Sequence, residues 1–238
     1  MDILTSLAIV VFAALIHASF QLSVSVLTLL SGHAIGAKKS RARVLRLTTS
    51  YTTGAGVMTL LILSFTSLLF LHFFGTETPL LVWALVCGLV FGIGIAVWLF
   101  YYRRQTTGTE LWIPRSFAKH LNDRSKATHY GAEAFSLGLT SVVAELLFII
   151  PSVAIAALAL IGLPSSWQLL GIALYTAISL LSLLVVWGLI GSGTSLGRIQ
   201  KWRIENKRFL QFTGGSALMV LGFFVYVSKI VATASGAL

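Results

Sequence analysis

Long apolar runs alternate with short polar connections along the whole chain, over about 3–30, 48–74, 80–102, 133–160, 168–190 and 209–231. Each reaches the roughly 20 residues that a helix needs to cross a bilayer. The pattern therefore predicts an all-α polytopic membrane protein with six transmembrane helices. Within the runs, polar and small positions recur at helical spacing. The first run carries Ala14, His17, Gln21, Ser25, Thr28 and Gly32 on one face. The second has Thr52, Gly56, Thr59 and Thr66; the fourth has Gly138, Ser141, Glu145, Phe148 and Ser152; the fifth has Tyr175, Ser179 and Ser182. Such stripes serve helix packing as readily as function. In the third run, Gly88 and Gly92 form a GxxxG pattern, which lets a second helix approach closely.

The fourth run, EAFSLGLTSVVAELLFIIPSVAIAALAL from Glu133 to Leu160, is the most informative. Glu145 stands near its middle, about 18 Å from Glu133 at helical rise, which is close to the membrane midplane. An acid at that depth costs about 2.5–3.5 kcal/mol on insertion scales, so it faces a partner or a wet cavity. Pro151 then removes one backbone N–H and is expected to disturb the helix, leaving the carbonyl near Leu147 for a ligand or a neighbour. His17 and Gln21, one turn apart in the first run, are the other polar groups at depth. Glu145, His17, Gln21, Ser141 and Pro151 are the candidate residues for binding a substrate or proton.

Charge sets the expected orientation. Segments 31–47, 103–132 and 191–208 hold 5, 6 and 5 Lys or Arg, together 16 of the chain's 17, and the remaining one is Lys229. The connections at 75–79 and 162–167 hold none. The positive-inside rule places the three basic segments in the cytoplasm and both termini outside. The first run is too long for a signal peptide's apolar region and is read as a retained span. The expected location is the cell (inner) membrane, multi-pass. Two sets of three spans entering from opposite sides, 1–102 and 133–238, form a 3+3 inverted repeat if they are homologous, with 103–132 as the cytoplasmic connection. In such repeats the site lies at midplane where the first helices meet, which would bring His17 and Gln21 towards Glu145.

In the connection, residues 113–121 predict a short interfacial helix with Pro114 in its first turn. Phe117, Ala118 and Leu121 would face the membrane, while Arg115, Lys119 and Arg124 contact anionic lipid headgroups. Mean hydropathy is +0.92 with 57% hydrophobic residues, which excludes an ordinary soluble domain. The net charge of +10 therefore reflects membrane topology, and nucleic acid is not an expected partner. The single cysteine, Cys87, allows no internal disulfide. No metal site or cofactor is expected, since only one histidine is central in a run and no HExxH, Walker A or dinucleotide fingerprint occurs. With one deep acid and no readable triad, the chain is not read as an enzyme.

Several features coincide: six spans with the N-terminus outside, a 3+3 division, a proline following a glycine in the fourth span, and the approach to the sixth span, WRIENKRFLQFTGGSALMVLG from Trp202 to Gly222. Together they resemble the lysine-exporter (LysE) superfamily, which includes the membrane thiol-redox carriers of the DsbD and CcdA kind. In those carriers the first span of each repeat bears a cysteine beside prolines. The segment Gly138 to Pro151 is similar, with Glu145 near the cysteine's place; the first span has Gln21 or Leu22 there and no proline. Both redox cysteines are thus missing, and Cys87 lies in another span. The resemblance implies carriage or export of a small solute or ion; independently, the residues are read with Glu145 carrying a proton or cation and His17 and Gln21 as its partners. The alternative is a non-transporting membrane assembly factor or scaffold, related to cytochrome c biogenesis or thiol-redox membrane proteins. Lipids are expected partners on either reading, and the oligomeric state is not legible.

Overall fold

A computed structural model of the chain describes residues 2–20, 22–36, 41–100, 102–105, 108–111, 115–192, 201–202 and 205–234. Its helices are α1 (Ile3–Ser19), α2 (Leu22–Gly36), α3 (Arg41–Phe74), α4 (Leu80–Phe100), α5 (Arg115–Ala127), α6 (Gly131–Ile161), α7 (Ser165–Ser179), α8 (Leu181–Ser192) and α9 (Lys207–Val225). A π-helical segment, Tyr226–Val231, continues α9. The architecture is helical, with one exception that the sequence pattern did not predict. In the connection after α4, strands β1 (Tyr102–Gln105) and β2 (Gly108–Leu111) form an antiparallel hairpin that pairs Arg103 with Glu110.

Among the described residues, four helices are long and apolar enough to cross a membrane: α3, α4, α6 and the segment Arg208–Val231. The first and fifth apolar runs are not single helices, contrary to expectation. α1 and α2 meet at 44°, and α7 and α8 at 49°. Phe20 leaves helical geometry, with ψ 142°, and its N–H closes α1 on His17 O at 3.1 Å. The expected disturbance at Pro151 is also corrected, because α6 runs through it. Every residue from Pro151 to Ile161 is buried. Neighbouring helices surround that half of α6, which is the setting in which a membrane helix tolerates the bond that proline removes.

α6 is the central helix. α3 lies along it, and α1 and α7 pack on it and on each other. α4 pairs with α9. The helices of 1–102 therefore pack largely against those of 133–238. Contact between α3 and α6 is backbone to backbone. A Cβ on Gly138 would lie 2.1 Å from Tyr51 O, and one on Gly54 would lie 2.1 Å from Phe135 O. The GxxxG pair does not do this: Gly88 and Gly92 have no neighbour within 4 Å of a Cβ. α4 instead meets α9 through Gly94 and Gly215. Outward faces carry exposed Phe65, Leu68, Leu81, Leu85, Leu169, Val185 and Phe223, an apolar belt suited to lipid.

The three basic segments converge on one end of the bundle. The Arg41 guanidinium donates to Gly191 O at the end of α8, and Arg43 donates to His129 O, 3.3 Å away, just before α6. Segment 31–47 is also less of a loop than expected, since α2 continues to Gly36 and α3 opens at Arg41. At 34 residues α3 is about 51 Å long, well beyond a hydrocarbon core of about 30 Å, so its Arg-bearing first turns extend past the apolar belt.

Candidate functional site

The break between α1 and α2 exposes backbone donors inside the bundle. The first four N–H groups of any helix lack an intrahelical partner. Ser23 is the second residue of α2, and its N–H donates to Glu145 Oε1 at 2.6 Å. Its hydroxyl donates to Glu145 Oε2 at 3.0 Å. Glu145 on α6 thus caps a neighbouring helix, doing in trans what an N-cap side chain does within its own helix. The aligned peptides of a helix place about half a positive charge at its N-terminus, which favours an anion there. Glu145 is only 3% exposed and stands about 21 Å along α6. The mid-depth acid has both its oxygens met by the first turn of a neighbouring helix.

The surroundings fix that geometry. Tyr51 on α3 is fully buried, with its phenol oxygen 2.8 Å from Ser23 O and 2.7 Å from Ser141 Oγ. Ser141 Oγ is itself 2.8 Å from Gly138 O. Two hydroxyl protons serve these three short contacts, so the pair has alternative proton arrangements of the same heavy atoms. The close glycine crossing brings Tyr51 to Ser141, because Tyr51 O is the atom that touches Gly138. Phe20 at the break stacks on Phe148, three residues beyond Glu145, with ring centroids 5.6 Å apart.

The expected residues separate into groups. Glu145 and Ser141 join one network through Ser23 and Tyr51. His17 is buried in α1, and the partner of its Nδ1 is Tyr175 Oη on α7, at 3.1 Å; the tautomer decides which group donates. Gln21 lies outside the described residues. Pro151 is buried in α6, followed by Ser152, whose buried hydroxyl has no hydrogen-bond partner among the described residues. Ser23 and Tyr51 were not foreseen. Tyr51 falls off the stripe of the second run, which passes through Thr52, Gly56, Thr59 and Thr66, and Ser23 falls off the stripe drawn through His17 and Gln21.

The helix expected at 113–121 is α5, Arg115–Ala127. It packs on α2 and α6, and Leu121 is buried in that contact, so this apolar residue faces protein instead of lipid. Pro114 and the side chains of Arg115, Phe117 and Ala118 lie outside what is described. Lys119 and Arg124 are exposed. Arg124 also lines a polar cleft of about 170 Å³ between α5 and α6 with His120, Thr128 and Glu133. Glu133 accepts from the N–H groups of His129 and Tyr130, capping its own helix. No family model matches this chain, and no curated protein or solved structure gives a significant match.

Proposed function

We propose that the protein is a six-span carrier or exporter of a small solute or ion in the cell (inner) membrane, with Glu145 as the group that takes a proton or cation. The observation that carries this reading is the bond from the Ser23 amide to a buried acid at an interrupted span. Interrupted helices whose termini meet a polar group at mid-depth are the usual way a membrane carrier builds an ion or solute site. Proton uptake by Glu145 would remove the charge that the α2 N-terminus favours, loosening the hinge between α1 and α2. Protonation and movement would thereby be coupled through one hydrogen-bond set. The resemblance to the lysine-exporter superfamily points the same way, as does the convergence of the basic segments at one end, which the positive-inside rule makes cytoplasmic.

A second reading is a non-transporting membrane assembly factor. It is favoured by the burial of Glu145 and by the fit of both its oxygens to Ser23, which a purely structural cap would share. The discriminating experiment is flux of a panel of small solutes and ions in proteoliposomes, wild type against Glu145→Gln. Gln keeps an acceptor for Ser23 N–H but cannot exchange a proton. A folded Glu145→Gln protein that loses flux more than about tenfold supports the carrier. Absence of flux across the panel in wild type, or full flux in the variant, overturns the role given to Glu145.

A further inference from the structure

The end of the bundle opposite the basic segments holds a cavity of about 450 Å³, within the range of small-molecule sites. Its polar lining is Ser6 of α1, Thr76, Glu77 and Thr78 between α3 and α4, and Lys229 of the π-helical segment, with Trp83 as one wall. The floor is the C-terminal turn of α6. None of these groups belongs to the Glu145 network.

Lys229 is half-buried, its ammonium 5.2 Å from the Trp83 ring centroid. It lies within the π-helical segment Tyr226–Val231, on a stretch that otherwise exposes Phe223, Phe224, Val227 and Val231, and it lines the cavity. Glu77 lines the same cavity from the α3–α4 connection and is exposed. Among the described residues no ion pair joins Lys229 to Glu77. Opposite charges facing one cavity without neutralising each other are the complement of a zwitterion. Three hydroxyls add acceptors for N–H groups and donors for an anion.

Beside the cavity the apolar belt ends in exposed Phe73, Phe74, Leu80 and Leu81, so it opens where lipid headgroups lie. We infer that this cavity binds a phosphoethanolamine group, its phosphate on Lys229 and its primary ammonium on Glu77 and the threonine hydroxyls. A primary ammonium supplies three N–H donors to such acceptors, whereas a trimethylammonium supplies none. A purely anionic headgroup would meet Glu77 unfavourably.

The test is native mass spectrometry of the full chain released from nanodiscs holding phosphatidylethanolamine, phosphatidylcholine and phosphatidylglycerol in equal amounts. Wild type is expected to retain phosphatidylethanolamine selectively. Lys229→Ala and Glu77→Gln should each lower that retention about tenfold, the loss of one charge-assisted contact. Glu77 is an exposed connection residue, so Glu77→Gln keeps the test meaningful should Lys229→Ala fail to fold. Displacement of the lipid by soluble O-phosphoethanolamine would assign the same site to a free ligand; persistence of the lipid assigns it to the membrane. Equal retention of the three lipids, or unchanged selectivity in Glu77→Gln, overturns the inference.

Discussion

Removing the carboxylate that caps α2 should destabilise the protein by an amount the geometry sets. Glu145→Ala withdraws the acceptor from Ser23 N–H and from Ser23 Oγ–H together. The hydroxyl can turn to another acceptor, but the amide is fixed by the first turn of α2. A hydrogen bond to a charged group contributes about 1.5–3 kcal/mol, and a buried donor without a partner costs about 1–3 kcal/mol. The expected loss is therefore roughly 2–4 kcal/mol, dominated by the amide. At about 2–4 °C per kcal/mol for a chain of this size, Tm should fall by about 5–15 °C. Glu145→Gln keeps one carbonyl oxygen for the amide and turns its NH2 to Ser23 Oγ, which can accept. Its loss is confined to the charge opposite the helix end, about 0.5–2 kcal/mol. Ser23→Ala removes only the Oγ bond and should fall in the same range.

The assay is a thermal melt of the four proteins and of the Ser23→Ala/Glu145→Ala double variant in one detergent. If the cap is real, Ser23→Ala costs little once Glu145 is gone, and the cycle shows a coupling of about 1 kcal/mol or more. A Glu145→Ala protein melting within about 2 °C of wild type would refute the cap. Additive single and double variants would refute the bond from Ser23 Oγ to Glu145 alone, because Ser23→Ala leaves the amide in place.

Other expectations follow from the packing. Gly138→Ala and Gly54→Ala should each destabilise by at least about 1–3 kcal/mol, since the added Cβ meets a backbone carbonyl that cannot yield; Gly88→Ala, facing open space, should melt like wild type. Ser152→Ala should be neutral or slightly stabilising, because it removes a buried hydroxyl that has no partner among the described residues, and a lower Tm would show that this hydroxyl is in use. In a Cys87→Ala background, cysteines at Ser40, Ser116 and Ser195 should all resist an impermeant thiol reagent in intact cells, while one at Thr78 reacts. Mixed labelling of the first three would contradict the single side proposed for the basic segments, and uniform outside labelling would reverse the proposed orientation.

What the sequence made legible, and what it hid, divide along physical lines. Apolar runs long enough to cross a bilayer are a property of composition, so the spans at α3, α4 and α6 were placed to within a few residues, apart from the Arg-bearing turns that open α3. The grouping of basic residues foretold their convergence for the same reason. The breaks were hidden. Around Phe20 the chain reads HASFQLS, without proline or glycine, and the break at Leu180 lies in an equally helix-compatible run. Pro151, the one strong local signal, marks no break at all. In lipid a proline costs one hydrogen bond, which packed neighbours absorb, whereas an interruption frees several amides that need an acceptor at the same depth. The useful signal for the first break was Glu145 itself. A buried acid in an apolar helix requires donors, and side chains at that depth are few. Helix-end amides can supply them at no cost in side-chain burial. The acid's position in α6 thus located a break on the facing chain, and the same argument leaves Leu180 unannounced, since no acid stands opposite it among the described contacts.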